Sequence, residues 1–220
     1  MAEATGFLYP FLGDAPNDPA TLLADLSRSA AAKLVESIEL RRTTLLELDV
    51  PIREAAAAVA RAIDAGGRLF AIGNGGSATD AEAFVARCAA TTPELPARSL
   101  ATEPAVLTAL ANDIGVDAIF ARQLAACARA GDVVVAFSTS GGSTNVLASL
   151  EEAKRRGILT VGIVGYGGGA MRAAVDHCLA VQSQSVHRVQ EAQTAVTGVL
   201  VSTIAAAVGG RDPRGTRGVA

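Results

Sequence analysis

The stretch that decides the fold is Leu69-Phe70-Ala71-Ile72-Gly73-Asn74-Gly75-Gly76-Ser77-Ala78. Its first four residues form the short apolar run of a buried strand, and glycines then turn the chain. Ser77 is placed to cap a helix that begins at about Ala78. The free N–H groups of such a helix face back at the turn, with the positive end of its dipole behind them. That is an anion site, and phosphate is its commonest occupant. A plain strand–turn–helix connection would read the same from this stretch alone. A second copy argues against it: Val133-Val134-Val135-Ala136-Phe137 runs into Ser138-Thr139-Ser140-Gly141-Gly142-Ser143. Two such loops in one chain point to a phosphorylated small molecule.

Working outward, strands are expected at 68–72, 97–101, 132–137, 159–164 and 176–181. Helices are expected at 77–90, 104–112, 116–130, 144–156 and 187–208, with a short one after the glycines of 165–169. Strands alternating with helices imply an α/β fold with a parallel sheet covered on both faces. Apolar strands such as 133–137 agree with burial on both sides. Five strands suggest a doubly wound parallel sheet in the flavodoxin-like order 2-1-3-4-5, with ligand at the switch between strands one and three. Those two strands deliver the two loops. Ahead of this domain, 67–210, an irregular arm is expected over 1–19 and N-terminal helices over 20–66. Pro51 stops the first of them and opens the second. Leu22, Leu23, Leu26, Leu34, Val35, Ile38 and Leu45 fall on one side of the first helix, which suits oligomerisation. Residues 211–220 read as a flexible tail, locally basic but rich in Gly and Pro.

Composition narrows the classes. With 220 residues, half of them hydrophobic but no Trp, the chain is long enough for one domain whose core Ala, Val and Leu must fill. A net charge of −3 gives no reason to expect a nucleic-acid-binding face. Cys88, Cys127 and Cys178 lack metal-type spacing and read as small buried hydrophobes. The N-terminus lacks a basic start followed by an apolar run, and no apolar stretch reads as long enough to span a membrane. A cytoplasmic protein without membrane contact is expected.

The kind of phosphate site can be narrowed too. Gly73-Asn74-Gly75-Gly76-Ser77-Ala78 fits the dinucleotide pattern G-x-G-x-x-A, but no acidic residue closes the second strand, since Glu94 precedes it. No Gly-Lys-Ser/Thr follows the glycines, which disfavours a nucleoside-triphosphate loop. Ser138, Thr139, Ser140 and Ser143 can each donate a hydrogen bond, and Ser143 can cap the next helix. Hydroxyls and backbone amides without a basic side chain suit a phosphomonoester.

Four motifs in order carry a resemblance: Gly73-Asn74-Gly75-Gly76-Ser77-Ala78-x-Asp80-Ala81, Ala111-Asn112-Asp113, Ser138-Thr139-Ser140-Gly141-x-Ser143 and Arg188-Val189-Gln190-Glu191. They resemble the sugar isomerase (SIS) domain, closest to bacterial phosphoheptose isomerases and their non-catalytic relatives that associate with a replication initiator. The resemblance covers about 34–208. It implies a five-stranded SIS domain with two N-terminal helices, a homotetramer, and sites at subunit interfaces. It also implies Ser138, Thr139, Ser140 and Ser143 on the phosphate of a phosphorylated sugar. Asn74, Gly75 and Ser77 would face the sugar, Asp113 would be a polar neighbour, and Gln190 would complete the set.

The same resemblance exposes a departure. Aldose–ketose isomerisation needs a base to move a proton between adjacent carbons and an acid for the oxygens. The family isomerases place a His and a Glu one turn apart on the helix after the first loop, and a Gln and a His on the last helix. These four can hold zinc. Their positions fall at Ala83, Arg87, Gln190 and Gly198, and only Gln190 is kept. Ala and Gly offer no donor atom, and a guanidinium does not give up its proton at working pH. Neither a metal nor another cofactor is therefore expected. Glu82, His187 and Glu191 are the candidates to take over acid–base work. Three readings follow: a sugar-phosphate-binding sensor, regulator or scaffold with a possible protein partner; an active isomerase with relocated groups or with sites shared with a paralogous subunit; and, disfavoured, a nucleotide-dependent enzyme.

Overall fold

The computed structural model describes residues 19–91 and 95–209. The expected arm up to residue 18 and the tail over 211–220 lie outside the described residues. The chain forms two units, Met1–Ile38 and Glu39–Ala220. The division falls inside the first helix, α1 (Pro19–Glu47). In the first unit Leu23, Leu26, Leu34, Val35 and Ile38 stand exposed.

The second unit continues with α2 (Asp49–Asp64), β1 (Leu69–Ile72), α3 (Gly76–Thr91), β2 (Ala97–Ser99), α4 (Pro104–Asp113) and α5 (Ile119–Cys127). Then come β3 (Val133–Ser138), α6 (Thr144–Arg155), β4 (Leu159–Val164), α7 (Met171–Ala174), β5 (His177–Ala180) and α8 (Val186–Gly209). The five strands form one sheet in the order β2-β1-β3-β4-β5, every neighbouring pair parallel. Ile72 at the end of β1 lies opposite Ala136 of β3, so both following loops leave the same edge where the strand order reverses.

Strand alternation divides the core. Leu69, Ala71, Val133, Val135, Phe137, Val161 and Ile163 point to one face and pack with side chains of α2, α3 and α8. Phe70, Ile72, Val134, Ala136 and Val164 point to the other and meet those of α5 and α6. Phe84 and Phe137, ring centroids 6.0 Å apart, fix α3 onto the sheet. Each fully buried Phe contributes roughly 2–3 kcal/mol of transfer free energy. All three cysteines are free, with Cys88 buried and the other two half-buried. Burial pushes the Cys88 thiol up to about 12, as suits a small hydrophobe.

Several boundaries differ from expectation. Pro51 does not stop a helix. The break falls at Leu48, and Pro51 sits in the first turn of α2, where a missing N–H costs no helical bond. The helix expected over 116–130 starts with a 3₁₀ turn at Val116–Ala118 and ends at Cys127. There the buried Asp132 carboxylate accepts the N–H of Arg129 at 2.9 Å and pulls the chain out of the helix. The expectation of no membrane-length apolar stretch also needs correcting. Val186–Val208 is long and apolar enough by length and composition. Its Val196, Leu200, Val201 and Ile204 are buried in the core with α2 and α3, so the helix is apolar because the domain closes on it.

Candidate functional site

At the C-terminal edge of β1 and β3 lies a cavity of about 190 Å³, lined by Asn74, Ser77, Phe137, Tyr166, Val186 and four residues of the loop 138–143. Those four are Ser138, Thr139, Ser140 and Ser143, all expected at a phosphate.

The two loops are not equivalent. After β1, Ser77 is not a cap: it lies inside α3 and is buried. The N–H of Ser77 donates to the Asn74 carbonyl, and those of Ala78 and Thr79 donate to that of Gly75, at 2.9, 2.9 and 3.3 Å. The start of α3 is therefore closed by its own turn, which corrects the expectation of free amides there. After β3 the opposite holds. Ser143 occupies the N-cap position of α6, but its hydroxyl makes no cap bond and lies 3.3 Å from the hydroxyl of Ser138. The first turn of α6 has no side-chain cap, which leaves its amides and dipole directed at the loop. The uncapped helix start at this cavity is the one after the second loop.

That loop is folded tightly. The Ser138 hydroxyl accepts the N–H of Gly141 at 3.0 Å, and the Ser140 hydroxyl accepts that of Gly142 at 3.2 Å. Gly141 has φ +66°, and a Cβ there would stand 2.3 Å from the Gly168 carbonyl oxygen, so only glycine fits. The two loops are tied by a reciprocal amide pair. Asn74 donates to Asn145 at 2.7 Å, and Asn145 donates back at 3.0 Å. Gln193, fully buried on α8, donates to the Ile163 carbonyl at 3.0 Å and holds α8 under the end of β4.

The other expected residues scatter. Gln190 does not line the cavity but packs against the first turn of α3, its amide nitrogen 2.2 Å from where a Cβ on Gly76 would stand. Gly75, at φ +54°, forms the exposed tip of the first turn. Asp113 closes α4, exposed, accepting a hydrogen bond from Asn112 at 2.8 Å, and is not among the lining residues. Glu82 and His187 are exposed on α3 and α8. Glu191 pairs with Arg188. Sequence reasoning missed Tyr166, Phe137 and Val186, which reach the cavity only through the packing of β3, β4 and α8, and Asn145, whose partner lies 71 residues away.

The Arg87 guanidinium nitrogen lies 3.7 Å from where a Cβ on Gly198 would stand, so the two helices meet there through a cation and an empty position. No group of three His, Cys, Asp or Glu side chains that could hold a metal ion occurs among the described residues. Neither a guanidinium nor a glycine offers a side-chain donor to a divalent cation at this position.

The family model described as the SIS domain matches residues 34–165. The chain belongs to the SIS-domain family. Within that family it is of the phosphoheptose isomerase type. It is 42% identical to the phosphoheptose isomerase of Desulfovibrio desulfuricans over 160 residues, covering 71% of this chain and 76% of that one. It is 39% identical to that of Trichlorobacter lovleyi over 178 residues, covering 79% and 91%. Among solved structures, the phosphoheptose isomerase from Neisseria gonorrhoeae superposes with a TM-score of 0.78 at 35% identity, covering 81% of this chain and 98% of that one.

Proposed function

We propose that this SIS protein binds a phosphorylated sugar, with the phosphate on the loop 138–143 and the sugar toward Asn74 and Ser77, and does not isomerise it. Its role is then that of a sensor, regulator or scaffold, in the cytoplasm, as a homotetramer and with a possible protein partner. One observation carries the reading: among the described residues, the cavity is lined by hydroxyls, an amide and apolar groups, with no carboxylate or imidazole. General acid–base work needs such a group within about 3 Å of the proton it moves. Ala83 and Gly198, which offer no side-chain donor atom, and the cationic Arg87 speak against a zinc ion of the family type.

An active isomerase with relocated groups is the second reading, favoured by the identity to relatives named phosphoheptose isomerase. Asp80, one turn beyond Ser77, then joins Glu82, His187 and Glu191 as a candidate, because burial pushes its carboxyl up to about 6. An NMR time course with sedoheptulose 7-phosphate, with and without zinc, separates the two. Line broadening without new heptose signals is the expected result, lost in the Ser140→Ala/Ser143→Ala double variant. New heptose signals would establish the second reading, and broadening retained in the double variant would remove the phosphate from this loop.

A further inference from the structure

The turn after β4 holds Tyr166, at φ 47° the one non-glycine residue with a positive φ among the described residues. A bulky side chain is a genuine outlier there, because its Cβ crowds the following carbonyl. Its neighbours are Gly165, Gly167, Gly168 and Gly169, so a residue without a Cβ would be the unstrained choice. The surrounding backbone imposes the conformation. Gly165 N–H donates to the Ser138 carbonyl at 3.2 Å, and Gly168 N–H to the Gly165 carbonyl at 2.8 Å. A Cβ on Gly165 would stand 2.5 Å from the Thr139 carbonyl oxygen, and one on Gly169 2.5 Å from that of Ser140. The glycine turn is thus laid directly on the backbone of the serine loop.

The strained position lines the cavity beside Ser138, Thr139, Ser140 and Ser143. The Tyr166 ring is half-buried and packs against the cluster of Val181, Val189 and Ala192. That packing alone would be met by an aliphatic side chain. Backbone strain held by its surroundings clusters at ligand-binding positions, and a tyrosine offers both an apolar face and a hydroxyl.

We infer that Tyr166 is the specificity-determining wall of this cavity: its ring covers the C–H face of a monosaccharide phosphate whose phosphate sits on the loop 138–143, and its hydroxyl donates to a sugar oxygen. This rests on the sugar-phosphate reading above and adds a preference for the sugar over phosphate alone. The small cavity, about 190 Å³, suits a single sugar unit.

Calorimetric titration of the full chain, Tyr166→Gly and Tyr166→Phe, with sedoheptulose 7-phosphate and separately with inorganic phosphate, tests it. Tyr166→Gly should weaken the sugar phosphate by roughly tenfold or more and Tyr166→Phe by a few-fold, with inorganic phosphate bound equally by all three. Ligand-free melting of Tyr166→Gly should stay at or above that of the parent chain, since glycine relieves the backbone. Equal sugar-phosphate affinity in the parent and Tyr166→Gly overturns the inference while leaving the serine loop intact. An equal loss of both ligands overturns it by marking the turn as scaffold only. A parent chain that binds neither overturns the site reading and this inference together.

Discussion

Asp80 shows how much one side chain depends on its surroundings. It stands in the first motif, yet nothing in that motif says that its Oδ2 is buried without a hydrogen-bond partner. Burial raises its carboxyl from 3.8 to about 6. The folded state therefore holds this proton more tightly than the unfolded state, so its contribution to stability falls as pH rises from 3.8 to about 6 and is flat above. Asp80→Asn removes the charge at similar volume. It should stabilise the fold at pH 7 by on the order of 1 kcal/mol, discounted for the partial exposure of the group, and leave stability unchanged at about pH 3.5. Urea unfolding at the two pH values checks this, and an equal gain at both would remove the ionisation from the explanation.

At the scale of elements, the connections carry the design. Asp132, at the start of β3, accepts the backbone N–H of Arg68 at 2.9 Å and that of Arg129 at 2.9 Å, and pairs with the Arg68 guanidinium at 2.8 Å. It ends α5, starts β3 and joins β1 to both. Burial by itself pushes this carboxyl up, but the guanidinium and the two N–H groups outweigh it and hold it below its usual range. Its contribution is therefore present above the unfolded value and lost as pH falls through the folded one, the reverse of Asp80. Asp132→Ala should cost about 2 kcal/mol at pH 7, because it removes a buried carboxylate on which two part-buried backbone N–H groups and a guanidinium converge. Chemical denaturation measures it, and a loss under about 0.5 kcal/mol would place the tie elsewhere. The sequence placed β3 within a residue of its observed start, because an apolar run marks a strand. It placed the end of the helix before it three residues late, because the capture of Arg129 by Asp132 has no signature in local periodicity.

At the scale of the whole molecule, α1 carries the exposed apolar side chains Leu23, Leu26, Leu34, Val35 and Ile38, which a partner subunit could cover. If α1 assembles the proposed homotetramer, Val35→Glu with Ile38→Glu should yield a smaller species by light scattering, with helical content unchanged by circular dichroism. An unchanged mass would move the interface to another surface.

The sequence by itself determined the strand order and the position of both loops, since alternation of apolar runs with 3.6-residue patterns leaves few parallel topologies, and glycine–serine turns announce themselves. It also determined that Ser138, Thr139, Ser140 and Ser143 gather at the cavity, because they share one short loop. Which loop keeps its helix amides open was decided by the folded backbone, as Asn74 and Gly75 close one turn while Ser143 leaves the other uncapped. Tertiary structure alone set Tyr166 at the wall, Asn145 against Asn74 and Arg87 over Gly198. These pairs bring together residues far apart in the chain, and only the packing of helices on the sheet fixes where such side chains meet.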